Sequence, residues 1–208
     1  MLAYFRGERM RYSPEHKQES RRRVLAAAAR AIREQGPEGI SVAAVMGEAG
    51  LTHGGFYAHF ASKNALIAAS IDYMFDEVVA RFDKRIEGKP PREALAAYID
   101  YYLSLAHCTS RNGGCPIAAL GSDIPRLEAQ AREAFVRGME RQQQRITALL
   151  ERMGCEDAGV LARSMRSELF GALISARLAD GELRESILET SRLALLKRLH
   201  LDADSPAA

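Results

Sequence analysis

The chain has 208 residues, of which 47% are apolar and 27% charged, enough to bury a core and too apolar for disorder to dominate. No apolar run approaches the ~18 residues of a membrane span, and residues 1–12 lack the apolar stretch of a secretory signal, so a cytoplasmic protein without membrane contact is expected. Cys108, Cys115 and Cys155 are an odd number of thiols, which excludes a disulfide framework, and the net charge of +2 singles out no partner.

No segment alternates apolar and polar residues as a half-buried strand does, so the whole chain reads as helix. Ser13, Pro14 and Glu15 start a first helix, Leu25, Ala28, Ala29 and Ile32 mark its buried stripe, and Gly36-Pro37 stops it after Gln35. Ser41 caps a second, short helix that Gly50 ends, and Thr52 caps a third that runs to about Phe60. Ser62 opens a long fourth helix with the apolar row Ile67, Ile71, Met74, Phe75, Val78, Phe82 and Ile86, broken at Gly88 to Pro91. A fifth stripe follows, Leu95, Tyr98, Ile99, Tyr102 and Ala106. A polar loop spans residues 110–114, and a short helix starts at Pro116.

Pro125 is the expected start of a long helix carrying Leu127, Ala131, Phe135, Gln142, Ile146, Leu149 and Met153, with Gly154 at its end. Two more helices carry Leu161, Met165, Leu169, Ala172, Leu173 and Ala176, then Leu183, Ile187, Ala194, Leu195 and Leu199. Small residues beside large ones suit close packing of these two, either within the chain or against a second copy. The tail from Asp202 is expected to fray.

Residues 41–63 place two short helices around a glycine turn, which is helix-turn-helix spacing. At 100° per residue the third helix sets Phe56 and Phe60 on one side as anchors, and Gly54, Gly55 and Ala58 on the other. Each glycine in a helix costs ~1 kcal/mol relative to alanine, a loss that close approach of bare backbone to base edges in a major groove can offset. A flexible loop, the simpler reading, accounts for neither the paired rings nor the caps at both ends. Ser41, Thr52 and Ser62 open three helices whose free N–H groups suit phosphate, with Lys63 at the last. Tyr57 and His59 can add phosphate contacts, and His53 is the residue expected to touch a base. Residues 1–64 carry ten Lys/Arg against six Asp/Glu, net +4, and the remainder nets −2, an asymmetry that suits a head meeting a polyanion.

Ile40-Ser41-Val42, Ala49-Gly50-Leu51-Thr52, Gly54, Phe56-Tyr57, His59-Phe60 and Lys63 resemble the signature of TetR-type repressors. The resemblance covers the first quarter to third of the chain. It implies an all-α homodimer: an N-terminal three-helix DNA-binding domain with the helix-turn-helix (residues 1–63), then a larger helical effector-sensing and dimerisation bundle (residues 64–208). Two such heads would read a palindromic operator on double-stranded DNA. Met46 departs from the family, which often has alanine there.

The second half names no ligand outright. Cys115, in Arg111-Asn112-Gly113-Gly114-Cys115-Pro116, would cap the helix starting at Pro116, where free N–H groups and a neighbouring guanidinium favour a reactive thiolate. The segment is also similar to that of TetR-type regulators that answer electrophiles or oxidants through a cysteine. The alternative is a small buried filler. No lysine lies between Lys89 and Lys197 for a cysteine–lysine link, and a bridge to Cys108 would need the intervening loop to fold back. Tyr102, Phe135 and Gln142, with Met74, Phe75, Tyr98 and Met139, are expected either to line a largely apolar effector cavity or to be ordinary core.

No phosphate-binding glycine loop, zinc spacing or nucleophile triad is present, so neither catalysis nor a cofactor is expected. An architectural DNA-binding protein without effector is the second reading. Arg6, Arg9 and Arg11 would form a minor-groove arm or a disordered extension, and Met10 is a second possible start.

Overall fold

A computed structural model describes residues 14–110 and 113–201. The cap Ser13, the arginines at 6, 9 and 11, Met10, Arg111 and the tail from Asp202 lie outside the described residues. Among those described there are helices and no strand.

Helix α1 spans Pro14–Gly39 with a kink at Gly36, whose φ of 77° is open to glycine without strain. The regular helix therefore stops where Gly36-Pro37 predicts, and one further turn follows. Helix α2 spans Val42–Glu48, and the Ser41 hydroxyl accepts from the Ala44 N–H at 3.4 Å. Gly50 makes the turn out of α2 at φ 71°. A side chain there would be strained, and would also sit 3.3 Å from Nη1 of Arg23. Residues His53–Ala58 then form a 3₁₀ helix. Helix α3 is Lys63–Ile86, with Ser62 accepting from the Ala65 N–H at 3.1 Å.

The body continues with α4 (Pro91–Tyr102), α5 (Leu105–Thr109), α6 (Pro116–Leu120), α7 (Ala129–Arg152), α8 (Ala158–Leu178) and α9 (Gly181–Arg198). Two expectations are corrected here. The fifth stripe ends at Tyr102 because Ser104 caps a new helix, accepting from the His107 N–H at 3.2 Å; this turns Ala106 outward and His107 and Cys108 inward. Pro125 sits in a 3₁₀ turn, Ile124–Arg126, and extended Leu127 interrupts the chain so that α7 begins at Ala129. The buried row assigned to α9 also shifts: Leu183 is 62% exposed and Ala194 is exposed, whereas Leu188, Leu195, Leu196 and Leu199 are buried.

A single apolar core runs from Val24 in α1 to Leu199 after α9. Its largest helix contact is α3 against α7, followed by α8 against α9 and α1 against α3. On the first of these the Phe75 ring lies directly on the α7 backbone at Gly138 and meets Phe135 edge-on, with centroids 5.4 Å apart. Outside this seam Arg137 pairs with Asp72 at 3.1 Å, Arg141 with Asp76, and Arg145 with Asp83 at 2.8 Å. Because α3 begins directly after the helix-turn-helix and packs on both α1 and α7, its seating on α7 links the N-terminal helices to the rest of the chain.

Candidate nucleic-acid interface and effector cavity

Phe56 and Phe60 are buried with centroids 5.8 Å apart, so both rings anchor the short helix as expected. The helix they hold is wound more tightly than an α-helix, and this moves the two glycines apart. At about 120° per residue neighbours no longer share a face. A Cβ on Gly54 would meet nothing within 4 Å, whereas one on Gly55 would lie 3.8 Å from Cε of Met46 and 3.7 Å from Oγ1 of Thr52. Gly54 is therefore part of the exposed surface, and Gly55 is packed on the fully buried Met46. Met46, where the resemblance would suggest alanine, thus lies directly under the short helix.

His53 and Thr52 are exposed, and the Thr52 side chain makes no capping hydrogen bond, contrary to expectation. Tyr57 is 74% exposed with its ring edge-on to Phe56 at 5.2 Å, so an apolar base holds a hydroxyl out in solvent. Ser41 is exposed at the start of α2 and spends its oxygen on Ala44. Lys63 is half-buried and donates from Nζ to the carbonyl of Glu38 at 2.8 Å, tying the start of α3 to the end of α1.

His59 is half-buried, and its Nδ1 is enclosed without a hydrogen-bond partner. Burial lowers its pKa below the usual histidine value, with Lys17 and Arg21 adding to the shift, so it is the neutral ring that sits here at pH 7. Sequence reasoning missed Arg21. Its guanidinium lies 4.2 Å from the Phe60 ring centre and donates to the His59 carbonyl, closing the end of the short helix from α1. Nothing local in the sequence pairs positions 21 and 59.

In the body, Cys115, Tyr102 and Gln142 meet around one small pocket of about 20 Å³, together with Tyr98 and His107. That is room for about one water molecule. Gln142 donates from Nε2 to the Tyr98 hydroxyl at 3.0 Å, and its Oε1 is enclosed without a partner. The Nδ1 of His107 lies 2.7 Å from the Tyr102 carbonyl, which can only accept, so Nδ1 carries the proton and Nε2 keeps its lone pair. Burial lowers the His107 pKa and raises those of Tyr98 and Tyr102, both further through the neighbouring Cys115. Cys115 is 2% exposed and its side chain makes no capping hydrogen bond at α6. Phe135 does not belong to this group: it packs on Phe75 across the α3–α7 seam. Cys108 and Cys115 are buried free thiols and Cys155 is half-buried.

A ligand-sized cleft lies elsewhere. About 540 Å³ opens between α1, α6, α8 and the start of α9, lined in part by Arg33, Arg177 and Arg184. The expected effector residues take no part in it.

A helix-turn-helix with an exposed, ring-anchored 3₁₀ turn, carried on a long helix into a helical body, defines a DNA-binding transcription regulator. Residues 24–70 match the family model described as bacterial regulatory proteins, tetR family. The chain is 30% identical over 168 residues to the uncharacterized HTH-type transcriptional regulator Rv0196 of Mycobacterium tuberculosis, covering 76% of this chain and 84% of that protein. A TetR regulator from Chloroflexus aurantiacus aligns with a TM-score of 0.75 at 26% identity, covering 89% of this chain and 96% of that one. The reduced form of E. coli NemR aligns with a TM-score of 0.76 at 18% identity over 91% and 100% of the two chains, a likeness of fold. The chain belongs to the TetR family of transcriptional regulators. No described helix is long and apolar enough to cross a membrane.

Proposed function

We propose that this regulator is a repressor that binds a palindromic operator as a homodimer and is released when an effector acts on its body. The observation that carries the reading is the outward face of the short helix, where His53, Gly54 and Tyr57 stand in solvent while Phe56 and Phe60 fix the backbone behind them. A surface bare at Gly54 lets backbone approach base edges; Tyr57, together with the helix starts at Ser41, Thr52 and Ser62, supplies donors for phosphate. His53 is assigned to a base, and the head ends at residue 63, where α3 begins.

The proposed trigger is covalent modification of Cys115 by a thiol-reactive compound. Tyr98, Tyr102, His107 and Gln142 enclose this thiol in a cavity of about 20 Å³, so an adduct must push these neighbours apart. Tyr98 and Tyr102 lie on α4, which packs on α3, and a displacement there reaches the head through α3. Release is a population shift: the adduct favours a body conformation in which the two heads no longer match their half-sites.

The test is operator binding by fluorescence anisotropy with and without N-ethylmaleimide, for the wild type and Cys115→Ser. Loss of the response only in the variant supports the trigger; an equal response in both removes it. An architectural protein would bind random and promoter DNA alike, and a specificity ratio near one would remove the repressor reading itself.

A further inference from the structure

The cleft of about 540 Å³ falls within the size range of small-molecule sites, and its walls come from α1 as well as from helices of the body. Arg33 reaches it from α1 of the DNA-binding head, Arg177 from the last turns of α8, and Arg184 from the first turns of α9. Ala118 and Ala119 of α6 form a small apolar wall. Glu34 is the one carboxylate among the residues lining it.

The three guanidiniums are not equivalent. Arg33 pairs with Glu77 at 3.0 Å and Arg184 with Asp180 at 2.7 Å. Arg177 donates from Nε to the Cys108 carbonyl at 3.1 Å, and among the described residues no carboxylate lies within ion-pair distance of it. The Arg177 side chain is nonetheless held in place. The bond from its Nε fixes one edge of the fork, and its Nη2 lies over Gly114, 2.7 Å from where a Cβ there would stand, with the Ser110 carbonyl oxygen 2.9 Å from the same point. A planar fork with its Nε tethered and its terminal nitrogens beside a cleft is arranged for a bidentate oxyanion.

We propose that this cleft binds an organic carboxylate, with Arg177 as its anchor and the alanines of α6 against its apolar portion. The fork matches the two oxygens of a carboxylate, and 540 Å³ exceeds what an inorganic anion fills. A molecule in this position touches α1 on one side and α8 and α9 on the other, so it ties the attitude of the head to the body. Anion binding requires only the fold. Its coupling to the operator rests on the repressor reading above.

The test is isothermal titration calorimetry of the full chain with octanoate, benzoate, 1-octanol and inorganic phosphate. Saturable binding of a carboxylate but not of the alcohol is expected, weakened roughly ten- to hundredfold by Arg177→Gln, the cost of a charged hydrogen-bonded contact. Ala118→Phe fills the cleft and leaves every guanidinium in place, so it should also abolish binding while the far-ultraviolet circular dichroism is unchanged. It keeps the test open should Arg177→Gln fail to fold. Binding of neither carboxylate, binding of phosphate alone, or carboxylate binding indifferent to both variants overturns the site. Operator anisotropy in the presence of the bound carboxylate then addresses coupling alone: a changed operator affinity, lost in Ala118→Phe, supports it, and an unchanged affinity with intact calorimetric binding removes the coupling and leaves the site standing.

Discussion

Gly138→Ala is the most informative single perturbation of the α3–α7 seam. A Cβ at this position would stand 2.1 Å from Cδ2 of Phe75, 2.2 Å from Cγ and 2.7 Å from Cε2. Ordinary contact is about 3.5–4.0 Å, so the ring must retreat by more than an ångström or α7 must lift away. Phe75 has no exposed surface, and Phe135 bars its edge. The expected cost is that of core overpacking, about 1–3 kcal/mol and near the top of that range. Against it stands the helix propensity of alanine over glycine, worth about 1 kcal/mol in favour of the variant. The net expectation is a loss of about 2 kcal/mol, or a fall in Tm of about 4–8 °C at fixed protein concentration. Thermal unfolding followed by circular dichroism measures it.

Two companions sharpen that experiment. Gly47→Ala in α2, where a Cβ would meet nothing within 4 Å, should leave Tm unchanged or raise it. Adding Phe75→Leu to Gly138→Ala should recover part of the loss, because the smaller side chain vacates the volume that the new methyl needs, and the double-mutant cycle isolates that term. A Gly138→Ala protein as stable as the wild type would refute the claim that ring and backbone are in direct contact, and with it the description of this seam as tightly registered.

Three further outcomes are expected. Gly54→Leu should weaken operator binding by roughly 5- to 150-fold, the range for a lost base contact, with Tm unchanged; Gly55→Leu should instead lower Tm because its side chain meets Met46, and anisotropy with thermal unfolding separates the two. Glu77→Ala removes the 3.0 Å ion pair to Arg33, whose side chain is 3% exposed, and should cost about 2–4 kcal/mol by chemical denaturation, less than a fully buried pair because Glu77 is 32% exposed, whereas Asp83→Ala on the exposed α3–α7 ladder should cost under about 1 kcal/mol. His107 and His59 have folded pKa values below the ordinary 6.5, so the unfolded chain binds more protons between the two values. Their contribution to stability is whole above pH 6.5 and is lost as pH falls through the depressed folded values, and His107→Gln should flatten the fall of Tm with acidification.

Much of the fold was legible because its signals are local. Ser41, Ser62, Gly50 and the kink at Gly36 act within one turn of chain, and the apolar rows of α3 and α7 depend only on helical period. The same locality explains the misses. An α-helix and a 3₁₀ helix over six residues differ by one hydrogen-bond step, and the choice at His53–Ala58 turned Gly55 onto Met46, which no periodicity of 100° foresees. Ser104 and extended Leu127 moved two boundaries by a few residues, because a new cap and an extended residue interrupted otherwise continuous stripes.

By itself the sequence determined the all-helical class, the helix-turn-helix and the two rings behind it, since period, caps and a fixed-spacing signature survive without any knowledge of neighbours. Only tertiary structure decided which inward residues meet. Tyr102, Phe135 and Gln142 all lie on buried stripes, yet helix packing sends Phe135 to Phe75 and the other two to Cys115. Arg33 lies far along the chain from Arg177 and Arg184, yet the three converge on one cleft. A stripe specifies a face, whereas a site requires the relative rotation and depth of several helices, and those are set by side chains distant in sequence.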